Sequence, residues 1–145
     1  MQHSILRRVL LGAAALSLST LALAQSTPDY GKHEFEANCA VCHGTDAKGG
    51  GPYASMFMNT PPPDLTIIAM KNGGVFPMQH VYEVVDGTGP EVKAHGPRFM
   101  PIWGADYQAR ASDRMADIGM PGYPEFYART RIIALIDYLY RVQQK

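Results

Sequence analysis

The clearest periodic signal lies late in the chain. Over residues 125–143, apolar side chains recur at Ile132, Leu135, Ile136, Leu139 and Val142, while Arg131, Asp137 and Arg141 fall on other faces. Spacings of three and four mark one face of a helix, so this segment is predicted to be an amphipathic packing helix. A second helix is predicted over residues 28–42. Thr27 can cap it, Pro28 suits the first helical position, and Asp29 complements the positive end of the helix dipole. Gly31, Phe35 and Cys39 are spaced by four and share one face, and Gly44 should end the helix. Short helices are expected over residues 65–71, stopping at Asn72-Gly73-Gly74, and over residues 78–86, stopping at Asp86-Gly87. Gly49-Gly50-Gly51-Pro52 and Pro61-Pro62-Pro63 make residues 44–64 a loop, and residues 87–104 read as another.

A different pattern occupies the start. Arg7 and Arg8 precede an apolar, small-residue stretch over residues 9–24, which closes on Ala22-Leu23-Ala24. A positive region, an apolar region and an Ala-x-Ala site make a secretory signal peptide, with Gln25 as the expected first mature residue. The stretch is 16 residues long, short of the roughly 20 that span a bilayer. Residues 1–24 are therefore expected to be removed after export to the periplasm, and residues 25–145 to form one domain.

Composition narrows the function. Glycine (14) and proline (11) are plentiful and mostly lie between residues 44 and 124. Such a chain buries little by regular packing, and a large apolar cofactor would explain how it folds. Of the 13 Lys+Arg, Arg7 and Arg8 leave with the signal peptide, so 11 remain against 13 Asp+Glu. A formal charge of −2 offers no footprint for nucleic acid or an anionic membrane. Paired carboxylates, nucleophile–base pairs and phosphate loops do not stand out. Gly49-Gly50-Gly51 lacks the Lys-Ser/Thr ending that a phosphate loop needs.

The chemistry concentrates in Cys39-Ala40-Val41-Cys42-His43, which holds the chain's two cysteines. Cys-x-x-Cys-His is the attachment signature of c-type haem. Two thiols one helical turn apart suit addition to the two vinyl groups, and the following histidine can offer its imidazole to the iron. A half zinc site would want two more ligands at matching spacing, whereas His33, His80 and His95 are scattered. A thioredoxin-like pair would want a βαβ setting. A short-loop disulfide is a further alternative.

With these residues in view, the chain resembles the class I c-type cytochromes over nearly all of residues 25–145. Four blocks in order carry the likeness. They are the helix with Gly31 and Phe35 ending in the haem motif; Gly49-Gly50-Gly51-Pro52 with Pro62-Pro63-Asp64-Leu65-Thr66; His95-Gly96-Pro97-Arg98-Phe99-Met100-Pro101-Ile102-Trp103-Gly104; and the final helix with Tyr138-Leu139. The third block is similar to a bacterial single-haem subgroup with a Met-Pro-x-Trp-Gly motif. The resemblance implies an all-α cytochrome c domain of short helices and long loops wrapped around one covalent haem c, with the first and last helices crossing at Gly31 and with Phe35 and Tyr138 around the crossing. It also implies that a proline carbonyl accepts the second ring proton of His43, a role that falls on Pro52 by position. Such a bond fixes the histidine tautomer and raises its basicity.

For the sixth iron ligand the expectation is Met100, borne on a Gly/Pro-rich loop and followed by Pro101. Met120, followed by Pro121, is the rival, and His95 or His80 would give a bis-histidine site. Arg98 and Trp103 are candidate partners of the haem propionates. A His/Met haem has no open site for substrate, and thioether ligation favours the ferrous state. The implied function is electron transfer, as a soluble carrier or as the cytochrome subunit of a dehydrogenase or reductase, with redox proteins docking transiently. The competing classes are a peroxidase-like enzyme or gas sensor, which would recruit His95 and Arg98 over an open iron, and a module in which haem only staples the fold.

Overall fold

Helix α7 (Pro124–Arg141) is the longest element and organises the core. Its predicted apolar stripe is buried at Ile132, Leu135, Ile136 and Leu139, and Ala128 and Tyr138 join it. A fully buried aliphatic or aromatic side chain contributes about 1.5–3 kcal/mol by leaving water, so this face does most to hold the chain together. The computed structural model describes residues 27–89, 100–117 and 123–144. Among them every regular element is helical: α1 (Tyr30–Asn38), α2 (Ala40–His43), α3 (Pro52–Phe57), a 3-10 turn (Leu65–Ile67), α4 (Ile68–Lys71), α5 (Met78–Asp86), α6 (Trp103–Asp117) and α7. The all-α fold class is thus as expected. The segment read as a signal peptide, residues 1–24, lies outside the described residues, as do His95, Arg98 and Met120.

Helix α7 packs mainly on α6 and α1, and less extensively on α5. The α1–α7 crossing is close because Gly31 has no side chain. A β-carbon there would sit on the backbone carbonyl of Ala134 and 2.9 Å from Cβ of Tyr138. Phe35, fully buried, meets the Tyr138 ring at 5.3 Å between centroids. Beside this contact Glu34 is buried and ion-paired with Arg131 of α7. The Asn38 amide donates to Oε2 of Glu34 at 3.2 Å, and the guanidinium lies over the rings of Tyr127 and Tyr107 at 4.6 and 5.9 Å.

Three boundaries differ from the expectation, each for a local reason. Asp29, not Thr27, caps α1: its Oδ1 accepts the Lys32 amide at 3.0 Å, and both its oxygens accept from Arg141. Aspartate is among the better helix caps, and here it is also held in place. The helix expected over residues 28–42 is two helices. Asn38 donates its side-chain amide to the Glu34 carbonyl at 3.2 Å, and Cys39 follows at φ −111° and ψ −36°, stretched from ideal helical angles but still in the right-handed region. Side-chain bonds of this kind compete with the helical ladder. Finally, α7 stops at Arg141 because the Gln143 side chain donates to the Leu139 carbonyl at 2.8 Å, the acceptor its own amide would use in a longer helix.

The segments over residues 65–71 and 78–86 are helical as expected, the first opening as a 3-10 turn capped by Asp64 and the second ending on left-handed Gly87. The loop of residues 44–64 contains one short helix, α3, with Pro52 in its first turn. Helix α6 is not foreseen by the sequence reading, in which residues 87–104 are a loop. Its first turn rests on α5, and Gly104 makes this possible: a β-carbon there would strike the Asp86 carboxylate and lie 2.8 Å from the Asp86 carbonyl.

Candidate functional site

The haem motif forms the second half of a two-helix corner. The Cys39 amide still donates to the Phe35 carbonyl at 2.8 Å, and the Cys39 carbonyl takes the amides of Cys42 and His43 at 3.1 and 2.9 Å. Helix α2 therefore hangs directly from the crossing of α1 and α7. The following loop folds back onto it: Gly49 and Gly51 donate to the carbonyls of His43 and Cys42 at 2.7 and 3.0 Å. The two thiols are free, Cys39 buried and Cys42 half-buried. Among the described residues no group of three or more His, Cys, Asp or Glu side chains is placed to hold a metal ion.

The carbonyl that faces His43 belongs to Pro63, not Pro52. His43 Nδ1 lies 3.4 Å from the Pro63 oxygen. Pro52 is exposed in the first turn of α3, where a helical residue's carbonyl points along the helix, and the loop at Pro63 presents its carbonyl to the imidazole instead. A carbonyl only accepts, so Nδ1 carries the proton and Nε2 keeps its lone pair. Burial holds the His43 pKa below the ordinary histidine value, the Pro63 bond opposing it. Burial, and then the neighbouring Cys42, pushes the Cys39 thiol up to about 12. At neutral pH the site is thus a neutral imidazole and a buried thiol.

Met100 and Trp103 are half-buried and pack against the apolar cluster that contains Cys39 and Ala40. Trp103 also meets Tyr107, one turn on along α6, at 5.9 Å between ring centroids. Tyr107 is a residue the sequence reading passed over. It is 1% exposed, and its hydroxyl has no hydrogen-bond partner among the described residues. Burial raises its pKa, with the Cys39 charge as the next cause, and the ring belongs to the same buried cluster as Cys39. The signal for it was the spacing Trp103, Tyr107, Ala111. His80 is exposed on α5.

These residues suit a covalent haem. The donor set is two free thiols and an imidazole with Nε2 available, and the Tyr107 hydroxyl, unpaired among the described residues, is a buried donor that an acceptor would satisfy. A buried group of this kind costs roughly 1–3 kcal/mol until it is paired, which an oxygen-bearing cofactor beside Cys39 would relieve.

The family model described as Cytochrome c matches residues 28–143. The chain belongs to the cytochrome c family. Neither the curated proteins nor the solved structures give a match. Members of this family carry haem c bound covalently and transfer electrons by it, and Cys39 and Cys42 stand at the spacing that attachment requires. No helix among the described residues is long and apolar enough to cross a membrane.

Proposed function

We propose that this chain is a periplasmic single-haem electron-transfer protein whose iron is held between His43 and Met100, and that it is not itself an enzyme. The observation that carries the reading is the corner at Cys39–His43. Two thiols lie one turn apart there, and the imidazole's Nδ1 proton is directed at the Pro63 carbonyl, leaving Nε2 for iron. When bound, the haem supplies a one-electron couple. The chain's own part is to attach it through Cys39 and Cys42, orient His43 through Pro63, and keep the porphyrin in an apolar setting.

Met100 supports a closed iron, since it packs into the cluster shared with Cys39 and Ala40. With His43 and Met100 both holding the iron, no substrate would reach the metal, and the bound haem would exchange electrons with proteins that dock transiently. The chain then serves as a soluble carrier or as the cytochrome subunit of a dehydrogenase or reductase. Removal of residues 1–24 on export completes this reading. Trp103, at the head of α6, and Arg98 are the proposed propionate partners, joined by Tyr107.

The test is made on the exported protein. Its mass should exceed that of residues 25–145 by one haem, and the haem should stay with the chain through acid and organic solvent. Stopped-flow mixing with a small inorganic reductant should reduce it in a single fast phase, while peroxide turnover with a donor dye stays at background. Free haem on extraction would overturn the attachment. Robust peroxidase turnover by the undamaged protein would instead make it an enzyme of the open-iron class.

A further inference from the structure

The carbonyl of Pro63 does not hang on a free loop. It is the start of a short strut, residues 63–69, that is pinned on two sides. On one side the Leu65 amide donates to the Ala47 carbonyl at 2.8 Å, tying the strut to the loop that wraps α2. On the other side lie the two glutamines that follow α7. Gln143 reaches the strut with both ends of its amide: Oε1 accepts the Ala69 amide at 2.9 Å and Nε2 donates to the Leu65 carbonyl at 2.7 Å. The same Nε2 donates to the Leu139 carbonyl at 2.8 Å, which roots the side chain in α7. Gln144 adds a backbone bond to the Thr66 carbonyl and a side-chain bond to Thr66 Oγ1, both 2.7 Å. Thr66 is buried and donates in turn to Asp64 Oδ1 through its amide and its hydroxyl, at 2.8 and 2.6 Å.

We infer that Gln143, assisted by Gln144, is a positioning residue for His43: it fixes the strut that holds the Pro63 carbonyl against the imidazole, and through it sets the electron donation of that ligand to iron. The inference rests on the reading of His43 as the iron's proximal ligand. Its physical basis is that a primary amide bonded at both ends, across three backbone groups, holds its neighbours more firmly than apolar contact of the same volume would. The neighbouring Arg141 does not touch the strut among the described residues: it pairs with Asp29 and Asp137 and lies over the Tyr138 ring. A histidine whose Nδ1 proton is strongly shared is a more basic ligand, and it stabilises ferric over ferrous iron. Loosening the strut should weaken that bond and raise the reduction potential.

The experiment uses the holoprotein with nitrogen-15 in its histidines. In the ferric state the ring signals of the ligand histidine are displaced by the unpaired electron. Displaced His43 signals establish ligation before any variant is made, and their absence would count against the underlying haem reading, separately from this inference. Gln143→Leu removes all three side-chain bonds at nearly constant volume. Asp29→Asn weakens the Arg141 pair and leaves the strut alone. Expected for Gln143→Leu are a higher potential, a shift of the His43 Nδ1–H signal and faster exchange of that proton with solvent. Asp29→Asn should lose some stability and move none of the three. A Gln143→Leu protein that is less stable yet unchanged in potential and imidazole signal would reduce Gln143 to a packing role. Equal shifts in both variants would likewise overturn the inference, since they would report general loosening. If Gln143→Leu retains no haem, Gln144→Ala, which leaves the backbone bond in place, is read by the same criteria.

Discussion

The backbone carbonyl of Ala134 occupies the place where a side chain on Gly31 would begin. This one contact sets how closely α1 and α7 cross, and the Cys39–His43 corner hangs from the end of α1. Gly31→Ala therefore opposes two effects. Alanine is the better helix former by ~1 kcal/mol, but the added methyl must push α7 away, and overpacking costs about 1–3 kcal/mol or more. The clash should win because its partner is backbone with no rotamer to change. Thermal unfolding of the holoprotein should fall, with less haem incorporated during expression. A stabilised protein would show that the crossing is looser than described.

The pair Glu34–Arg131 predicts a non-additive cycle. Glu34 is 5% exposed, and Arg131→Met would leave its carboxylate with only the Asn38 amide among the partners described. Breaking a buried pair costs 3–5 kcal/mol. About 3 kcal/mol is expected here, because the Arg131 side chain is 29% exposed. Glu34→Leu combined with Arg131→Met should recover most of the loss, since neither charge then remains buried. Urea unfolding of the four proteins in the cycle decides it, and additive single losses would mean the two residues act independently.

How much of this was legible in the sequence follows from how local each signal is. The Cys39-x-x-Cys42-His43 spacing, the α7 stripe and the Gly31, Phe35, Cys39 spacing are encoded within a few turns of chain, and the structure buries Ile132, Leu135, Ile136 and Leu139, and Gly31, Phe35 and Cys39, on the faces those spacings mark. The break at Cys39 depends on one Asn38 side-chain bond, which apolar spacing does not register. Helix α6 is missed because its buried face is Trp103, Tyr107 and Ala111, spaced for a helix but diluted by charge and following a proline-rich run. The choice of Pro63 over Pro52 could not be made locally at all. It depends on the Leu65–Ala47 bond and on Gln143, which lies 80 residues from Pro63 in the sequence.

The Asp29–Arg141 pair predicts an acid limb of stability. The Arg141 hydrogen bond, and then the Lys32 amide, hold the Asp29 carboxyl down at about 2, against ~3.9 for a free aspartate. A depressed carboxyl contributes stability above its unfolded value and loses it as pH falls through the folded one. Asp29→Asn keeps a good cap but removes the charge. Its deficit in urea midpoint should be present at pH 6, shrink between pH 4 and pH 2 by roughly the span of that shift, and diminish with added salt because the pair is exposed. A deficit independent of pH would assign Asp29's contribution to capping alone.

The sixth ligand gives the last prediction. Met100 stands three residues before α6, whose first turn is fixed on α5 where Gly104 meets Asp86, and it packs with the cluster that holds Cys39. A thioether delivered from a short segment anchored at one end can approach the iron without a helix in the way. Met100→Ala should abolish the far-red sulfur-to-iron band of the ferric protein, lower the potential, and let cyanide or carbon monoxide bind. Gly104→Val should weaken the same band without touching the ligand itself, because the branched side chain would drive α6 off Asp86 and carry Met100 with it. Met120→Ala should leave the spectrum unchanged. Loss of the band in Met120→Ala alone would transfer the ligand to Met120. Survival of a low-spin six-coordinate spectrum without the band in all of these proteins would point to His80 or His95, and the potential should then lie lower in the parent protein too, since imidazole favours the ferric state more than a thioether does.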